Sequence, residues 1–182
     1  MTGVLYLIRH TKVDIGPGIC YGKSDVNLAA TFPSEAEIIL NKISGITVAR
    51  IYSSPLIRCS KLAYKLGKKV KFDKRLEEMD FGDWECSNWI EIYHSAKGKE
   101  WFQDYLNVTC PNGESFQNLI QRVSSFVLEI PLEAKAIIVV THAGVIRSIL
   151  ATLKIVDADK IFSTEICYGQ IIKIENGKYS II

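Results

Sequence analysis

Two arginines and two histidines follow directly on the short apolar runs of this chain. Arg9-His10 comes after residues 4–8 (VLYLI), Arg58 lies five residues past Ser53 at the end of 48–52 (VARIY), and His142 comes after 136–140 (AIIVV). Each alone is ordinary: a histidine at a strand end usually satisfies local hydrogen bonds, and an arginine in a helix's first turn is usually solvated. In an open α/β sheet, however, ligands sit beyond the carboxyl ends of the strands. Two guanidinium forks and two imidazoles converging there suit a compact dianion such as a phosphoryl group, which arginine grips bidentately. The amides that open the helices after Ser54 and after His142 would add positive dipole at the same edge.

The elements that must position these groups are legible from pattern. The runs 4–8 and 136–140 read as strands covered on both faces. Residues 11–27, rich in Gly and Asp, read as a loop. Ser34-Glu35-Ala36-Glu37 matches a capping box, with Ile38, Ile39 and Ile43 behind it and Gly45 as a stop, and predicts a helix of about ten residues. Ser53-Ser54-Pro55 opens a helix carrying Arg58 and running to about Gly67. Residues 69–72 suit an edge strand. Residues 84–105 hold Trp84, Trp89 and Trp101 with Tyr93, Phe102 and Tyr105, and read as one or two helices of a small cap spanning about 84–110. Asn112-Gly113-Glu114-Ser115 opens a helix with Phe116, Leu119, Ile120, Val123 and Val127 at helical spacing. A further helix covers 145–153. The tail, 171–174 and 179–182 around Asn176-Gly177, reads as a hairpin. Alternating strands and helices predict a single domain over 1–182, a three-layer α/β/α sandwich with a mostly parallel sheet and a small helical cap.

Composition narrows the classes of function. The 182 residues are 48% apolar and 23% charged, average for a globular protein. Twenty-two Lys and Arg against 20 Asp and Glu give a net charge of +2, which argues against nucleic acid as a partner. The longest apolar runs are five residues, whereas a membrane helix needs about 20. The start, MTGVLYLIRH, lacks the form of a secretory signal, and an odd count of five scattered cysteines fits reduced thiols, so a cytoplasmic location is expected. His10, His94 and His142 have no metal-ligand spacing; neither a metal nor a cofactor is expected. No Cys is followed six residues later by Arg, and no G-x-x-x-x-G-K-[ST] loop occurs. Asp157-Ala158-Asp159 has too little chain after it for an aspartate-nucleophile site, so Asp157 is expected to cap a helix.

Leu7-Ile8-Arg9-His10-Thr11 resembles the R-H-G signature of the histidine phosphatase (phosphoglycerate mutase-like) superfamily. Four further blocks follow in that family's order: 53–59 (SSPLIRC), 75–85 (RLEEMDFGDWE), 112–115 (NGES) and 140–147 (VTHAGVIR). Within the superfamily, 18–26 (GICYGKSDV) resembles the loop of the α-ribazole phosphatases of cobalamin biosynthesis. The resemblance implies transfer of a phosphoryl group to His10 and then to water. Arg9, Arg58 and His142 would bind the equatorial oxygens. Glu78 would protonate the leaving oxygen, with Glu77 the competing candidate, and burial beside Phe81 or Trp84 would keep it protonated. Thr11, Tyr21, Gly22 and Ala143 fall at substrate-binding positions. The implied partner is a small phosphomonoester, most simply α-ribazole 5′-phosphate; other small-metabolite phosphates, mutase activity and a non-catalytic phosphate-binding protein are the alternatives. The oligomeric state, a homodimer included, is left open. Thr11 stands where the family usually has glycine, Lys12 where an acidic residue is common, and Cys86 at another glycine position.

Overall fold

The structure is a computed structural model that describes residues 3–131 and 136–182. Six strands form one mixed sheet: β1 (Leu5–Arg9), β2 (Val48–Ser53), β3 (Val70–Phe72), β4 (Ala136–Thr141), β5 (Ile171–Glu175) and β6 (Lys178–Ile181), in the order β3-β2-β4-β1-β5-β6. β1, β2, β3 and β4 run parallel, and β5 is antiparallel to both of its neighbours.

Side chains alternate across a strand, so a run that is apolar throughout must be covered on both faces. Leu5, Leu7, Ile137 and Val139 face a layer containing α5 (Phe116–Glu129) and α6 (Ala143–Thr152). Tyr6, Ile8, Ile138 and Val140 face α1 (Phe32–Lys42) and α2 (Ile57–Leu66). The expected three-layer α/β/α sandwich is therefore found. The two short helices α3 (Trp89–His94) and α4 (Ala96–Gln103) extend the first layer, with Trp84 and Trp101 packed edge-to-face in its core.

Two local expectations are corrected. Helix α1 begins at Phe32, before Ser34, because Pro33 has the fixed φ that a first helical turn requires. Ser34 Oγ instead donates to the Thr31 carbonyl, while Glu35 accepts from Thr31 Oγ1 and from the Lys12 amide. Asp157 precedes a 3₁₀ turn (Ala158–Ser163) without a side-chain cap bond and lies 3.6 Å from Lys160 Nζ. At Ser115 the expected helix start is met by a reciprocal capping box with Asn118.

Cys86 has φ of +65°, a conformation that costs an L-residue about 1–2 kcal/mol. Glycine there would relieve this at about 0.5–1 kcal/mol of extra chain entropy. Cys86→Gly is expected to raise the unfolding free energy by a net of about 0.5–1 kcal/mol, read as a higher urea midpoint. Gly82→Ala should lower it sharply, since a Cβ would fall 2.0 Å from the Pro111 carbonyl oxygen.

Candidate active site

Register brings the site together. In the β1–β4 pair Arg9 stands opposite Thr141, so His10 and His142 each lie one step past the paired ends. The His10 amide donates to the Thr141 carbonyl at 3.0 Å, and on β4's other side the Ser54 amide donates to the Val140 carbonyl at 3.0 Å. The two imidazoles consequently meet edge-to-face, with ring centroids 5.1 Å apart.

His10 is almost fully buried. Its Nδ1 lies 2.7 Å from the Thr11 carbonyl oxygen, an acceptor only, so the proton belongs on Nδ1 and Nε2 carries the lone pair. Burial first, then the Arg58 and Arg9 charges, hold this imidazole well below its ordinary pKa of 6.5, and the same three influences together with His10 act on His142. Both rings are therefore neutral at neutral pH.

Arg58 is fully buried in the first turn of α2. Its Nη1 donates to the Ser24 carbonyl at 2.7 Å and its Nη2 to that of Gly22. Arg9 donates to the Ile166 carbonyl at 2.6 Å and stacks on Tyr168, 3.9 Å from the ring centroid. The Nε of each arginine is buried without a hydrogen-bond partner, as is Thr11 Oγ1. Buried donors are rarely left unmade. Arg9 and Arg58 also line the cavity beside His10, where their charge suits an anion.

A cavity of about 690 Å³ opens over these groups, within the usual range for small-ligand sites. Arg9, His10, Arg58, Glu78, His142 and Tyr21 line it, as expected from the sequence; Thr11, Gly22 and Ala143 do not. Gly22 lies behind the wall, where a Cβ would come within 1.9 Å of the Met79 carbonyl oxygen. Glu77 lines only a neighbouring polar cavity that Glu78 also borders, and of the two glutamates Glu78 alone reaches the site. Glu78 is half-buried, and its environment differs from the expected apolar one: its oxygens accept the Met79 and Gly144 amides, each at 3.0 Å. The Gly144 amide at the start of α6 is thus already engaged, and the Ile57 amide at the start of α2 is capped by Asp25 at 2.7 Å. Neither is a free anion donor.

Other groups at the site were not legible beforehand. Tyr168 shares the wall, stacks on Arg9 and hydrogen-bonds Tyr21; no local pattern marks it, because it arrives from a loop before β5. Glu85 accepts the amides of Gly22, Lys23, Ser24 and Phe81, and so fixes the loop whose carbonyls hold Arg58. Ser54 Oγ lies 2.9 Å from His142 Nε2. Among the described residues no cluster of three or more His, Cys, Asp or Glu is placed to hold a metal ion, and no helix is long and apolar enough to cross a membrane.

Neutral histidine and buried arginine at the carboxyl edge of a mainly parallel sheet define an α/β protein built to hold an anion beside an imidazole. The model of the histidine phosphatase superfamily (branch 1) matches residues 5–181, and the chain belongs to that superfamily. It is 28% identical over 159 residues to the adenosylcobalamin/α-ribazole phosphatase of Escherichia coli, covering 82% of this chain and 78% of that protein. Phosphoserine phosphatase 1 of Hydrogenobacter thermophilus is 26% identical, covering 98% and 85%. The crystal structure of the α-ribazole phosphatase from Shigella flexneri superposes with a TM-score of 0.87 at 24% identity, covering 98% and 94%, a likeness of fold. The chain is a phosphatase of this class.

The neutral histidines set a pH dependence. Unfolding returns both to a pKa near 6.5, so below that pH the unfolded state binds more protons. Their contribution to stability is complete above about pH 6.5 and lost as pH falls toward the folded values. Between pH 6.5 and 5.5 the unfolding free energy is expected to fall with a slope approaching about 2.7 kcal/mol per pH unit, and by half as much in His10→Asn. Urea titrations at a series of pH values read this directly; a flat wild-type profile would mean imidazoles that titrate in the folded protein as they do in the unfolded chain.

Proposed function

We propose that the protein hydrolyses a phosphomonoester through a phosphohistidine at His10. The observation that carries this is the Nδ1 bond to the Thr11 carbonyl, which leaves Nε2 as a neutral nucleophile beside two arginines that line the same cavity. Nε2 forms a bond to phosphorus as the bond to the leaving oxygen breaks, and Glu78 gives that oxygen its proton. Arg9, Arg58 and His142 bind the equatorial oxygens, where the transition state spreads its charge. Water then attacks phosphorus, Glu78 takes its proton, and the N–P bond breaks to release phosphate and restore both groups.

Rapid quench separates these roles. The wild type is expected to yield an adduct that is labile to acid, stable to alkali and located on His10. In Glu78→Gln, kcat should fall by roughly 10²- to 10⁴-fold. An aryl phosphate, whose phenolate leaves without a proton, should still load His10, and the adduct should then accumulate because water activation is lost. An acid-stable adduct, or a Glu78→Gln defect equal for aryl and alkyl esters, contradicts the assignment.

The finer reading is α-ribazole 5′-phosphate as substrate. Of the aromatic residues between Phe81 and Tyr105, Phe81 and Trp89 line the cavity together with Tyr21 and Tyr168, whereas Trp84 and Trp101 are core. Four aromatic walls suit a flat base, and stacking adds about 0.5–1.5 kcal/mol, up to roughly tenfold in affinity. Lys12 favours a second reading: its side chain also lines the cavity and would meet the carboxylate of a substrate such as phosphoserine. Comparison of kcat/KM for α-ribazole 5′-phosphate, ribose 5-phosphate, 3-phosphoglycerate and phosphoserine decides between them. The ribazole ester is expected to be best and to lose about tenfold in Trp89→Ala, with ribose 5-phosphate little affected. If the phosphorylated acids lead and Lys12→Gln removes their advantage, the substrate is of the second kind.

A further inference from the structure

Ser54 is a buried hydroxyl that the chemistry above does not use, and its surroundings leave few places for its hydrogen. It sits at the end of β2, anchored through its amide to Val140, and its Oγ accepts the Leu56 amide at 3.3 Å. His142 Nε2 lies 2.9 Å from that oxygen. The Cys59 sulfur lies 3.4 Å from the same nitrogen and 3.8 Å from Nδ1, and burial pushes the Cys59 thiol up, so it stays protonated. An imidazole nitrogen is a stronger acceptor than sulfur.

We propose that Ser54 is a positioning residue that donates its hydroxyl hydrogen to His142 Nε2 and thereby fixes the His142 proton on Nδ1. The stronger groups are then each used once: the Leu56 N–H donates to Oγ, and the Oγ–H donates to Nε2, leaving the Cys59 thiol as a weak neighbour. The opposite tautomer would make Oγ accept two N–H groups and leave its own hydrogen to a weakly accepting sulfur. It would also leave Nδ1 bare, setting a lone pair against any phosphoryl oxygen that met it. The ring cannot escape the choice by taking a second proton, since it is buried beside Arg58, His10 and Arg9 at the positive end of α6. With Nδ1–H as its single donor, neutral His142 binds a phosphoryl oxygen only through that nitrogen. This role rests on the reading of His142 as a phosphoryl ligand, but the tautomer itself can be measured without turnover.

The experiment is nitrogen NMR of the ¹⁵N-histidine-labelled protein at pH 7.5, with the three histidines distinguished by His94→Gln and His10→Asn. The expected result is Nδ1–H for His142 in the wild type, in Cys59→Ala and in Ser54→Thr, which keeps the hydroxyl. Ser54→Ala should move the proton to Nε2 or mix the two forms, and should lower kcat/KM by about 10- to 100-fold, the range for partners that orient a ligating histidine. Nε2–H in the wild type overturns the proposal whether or not any variant folds. So does an unchanged tautomer in Ser54→Ala, even with reduced activity, or a shift caused by Cys59→Ala instead. If the tautomer behaves as expected while no phosphomonoester is turned over, the proton assignment stands and the hydrolytic reading fails.

Discussion

The site depends first on the parallel register of β1, β4 and β2. A parallel ladder carries no residue identity, yet a slip by one residue would turn every side chain to the opposite face. The alternating burial of Leu5 and Leu7 on one layer and Tyr6 and Ile8 on the other forbids that slip, because it would exchange two differently shaped cores. With register fixed, His10, Ser54 and His142 emerge side by side at the point where pairing ends. The geometry of the candidate site is thus held by core packing several residues away from it.

A second constraint is electrostatic. A fully buried guanidinium is costly unless its donors are met. Backbone carbonyls of Ser24 and Gly22 accept from the two Nη groups of Arg58, and among the described residues no carboxylate forms an ion pair with it. A carboxylate partner would cancel the charge intended for the ligand; carbonyl dipoles hold the group and leave its charge available. The carbonyls must themselves be rigid, and Glu85 provides this by accepting three consecutive amides of the same loop together with that of Phe81. Glu78 is fixed by an analogous device. Arg122 donates to the backbone carbonyls of Arg75, Glu77 and Glu78, which orients the segment carrying that carboxylate.

Much of this was legible in the sequence, for a physical reason. Strand ends, helix starts and the hairpin turn are local: Arg9-His10, Ser53-Ser54-Pro55 and Asn176-Gly177 declare themselves within a few residues. The left-handed Asn176 and Gly177 of the β5–β6 turn need no tertiary help to be foreseen. What escaped were contacts closed by long loops. Tyr168 meets Arg9 across most of the chain, and Glu85 reaches amides some sixty positions earlier. Helix dipoles misled for the same reason: the amides opening α2 and α6 are local features, but the carboxylates of Asp25 and Glu78 that occupy them are not.

The departures from the family's glycine pattern show that one missing glycine is not equivalent to another. Thr11 replaces glycine at a position without positive φ, so its Cβ introduces no backbone strain, and its carbonyl still receives the His10 Nδ1 proton. What the substitution adds is a buried hydroxyl next to His10, behind the cavity wall and without a partner among the described residues. Cys86 replaces glycine where φ is positive, and there the strain is real. It is sustained by the backbone on both sides, the Cys86 amide donating to the Cys20 carbonyl and the Cys20 amide to that of Ser87. That pair of bonds ties the 20–24 loop to the turn carrying Glu85. The strained residue therefore sits in the clasp that ultimately places Arg58, and the fold tolerates the strain because releasing it by backbone rearrangement would also release the carbonyls that hold that buried guanidinium.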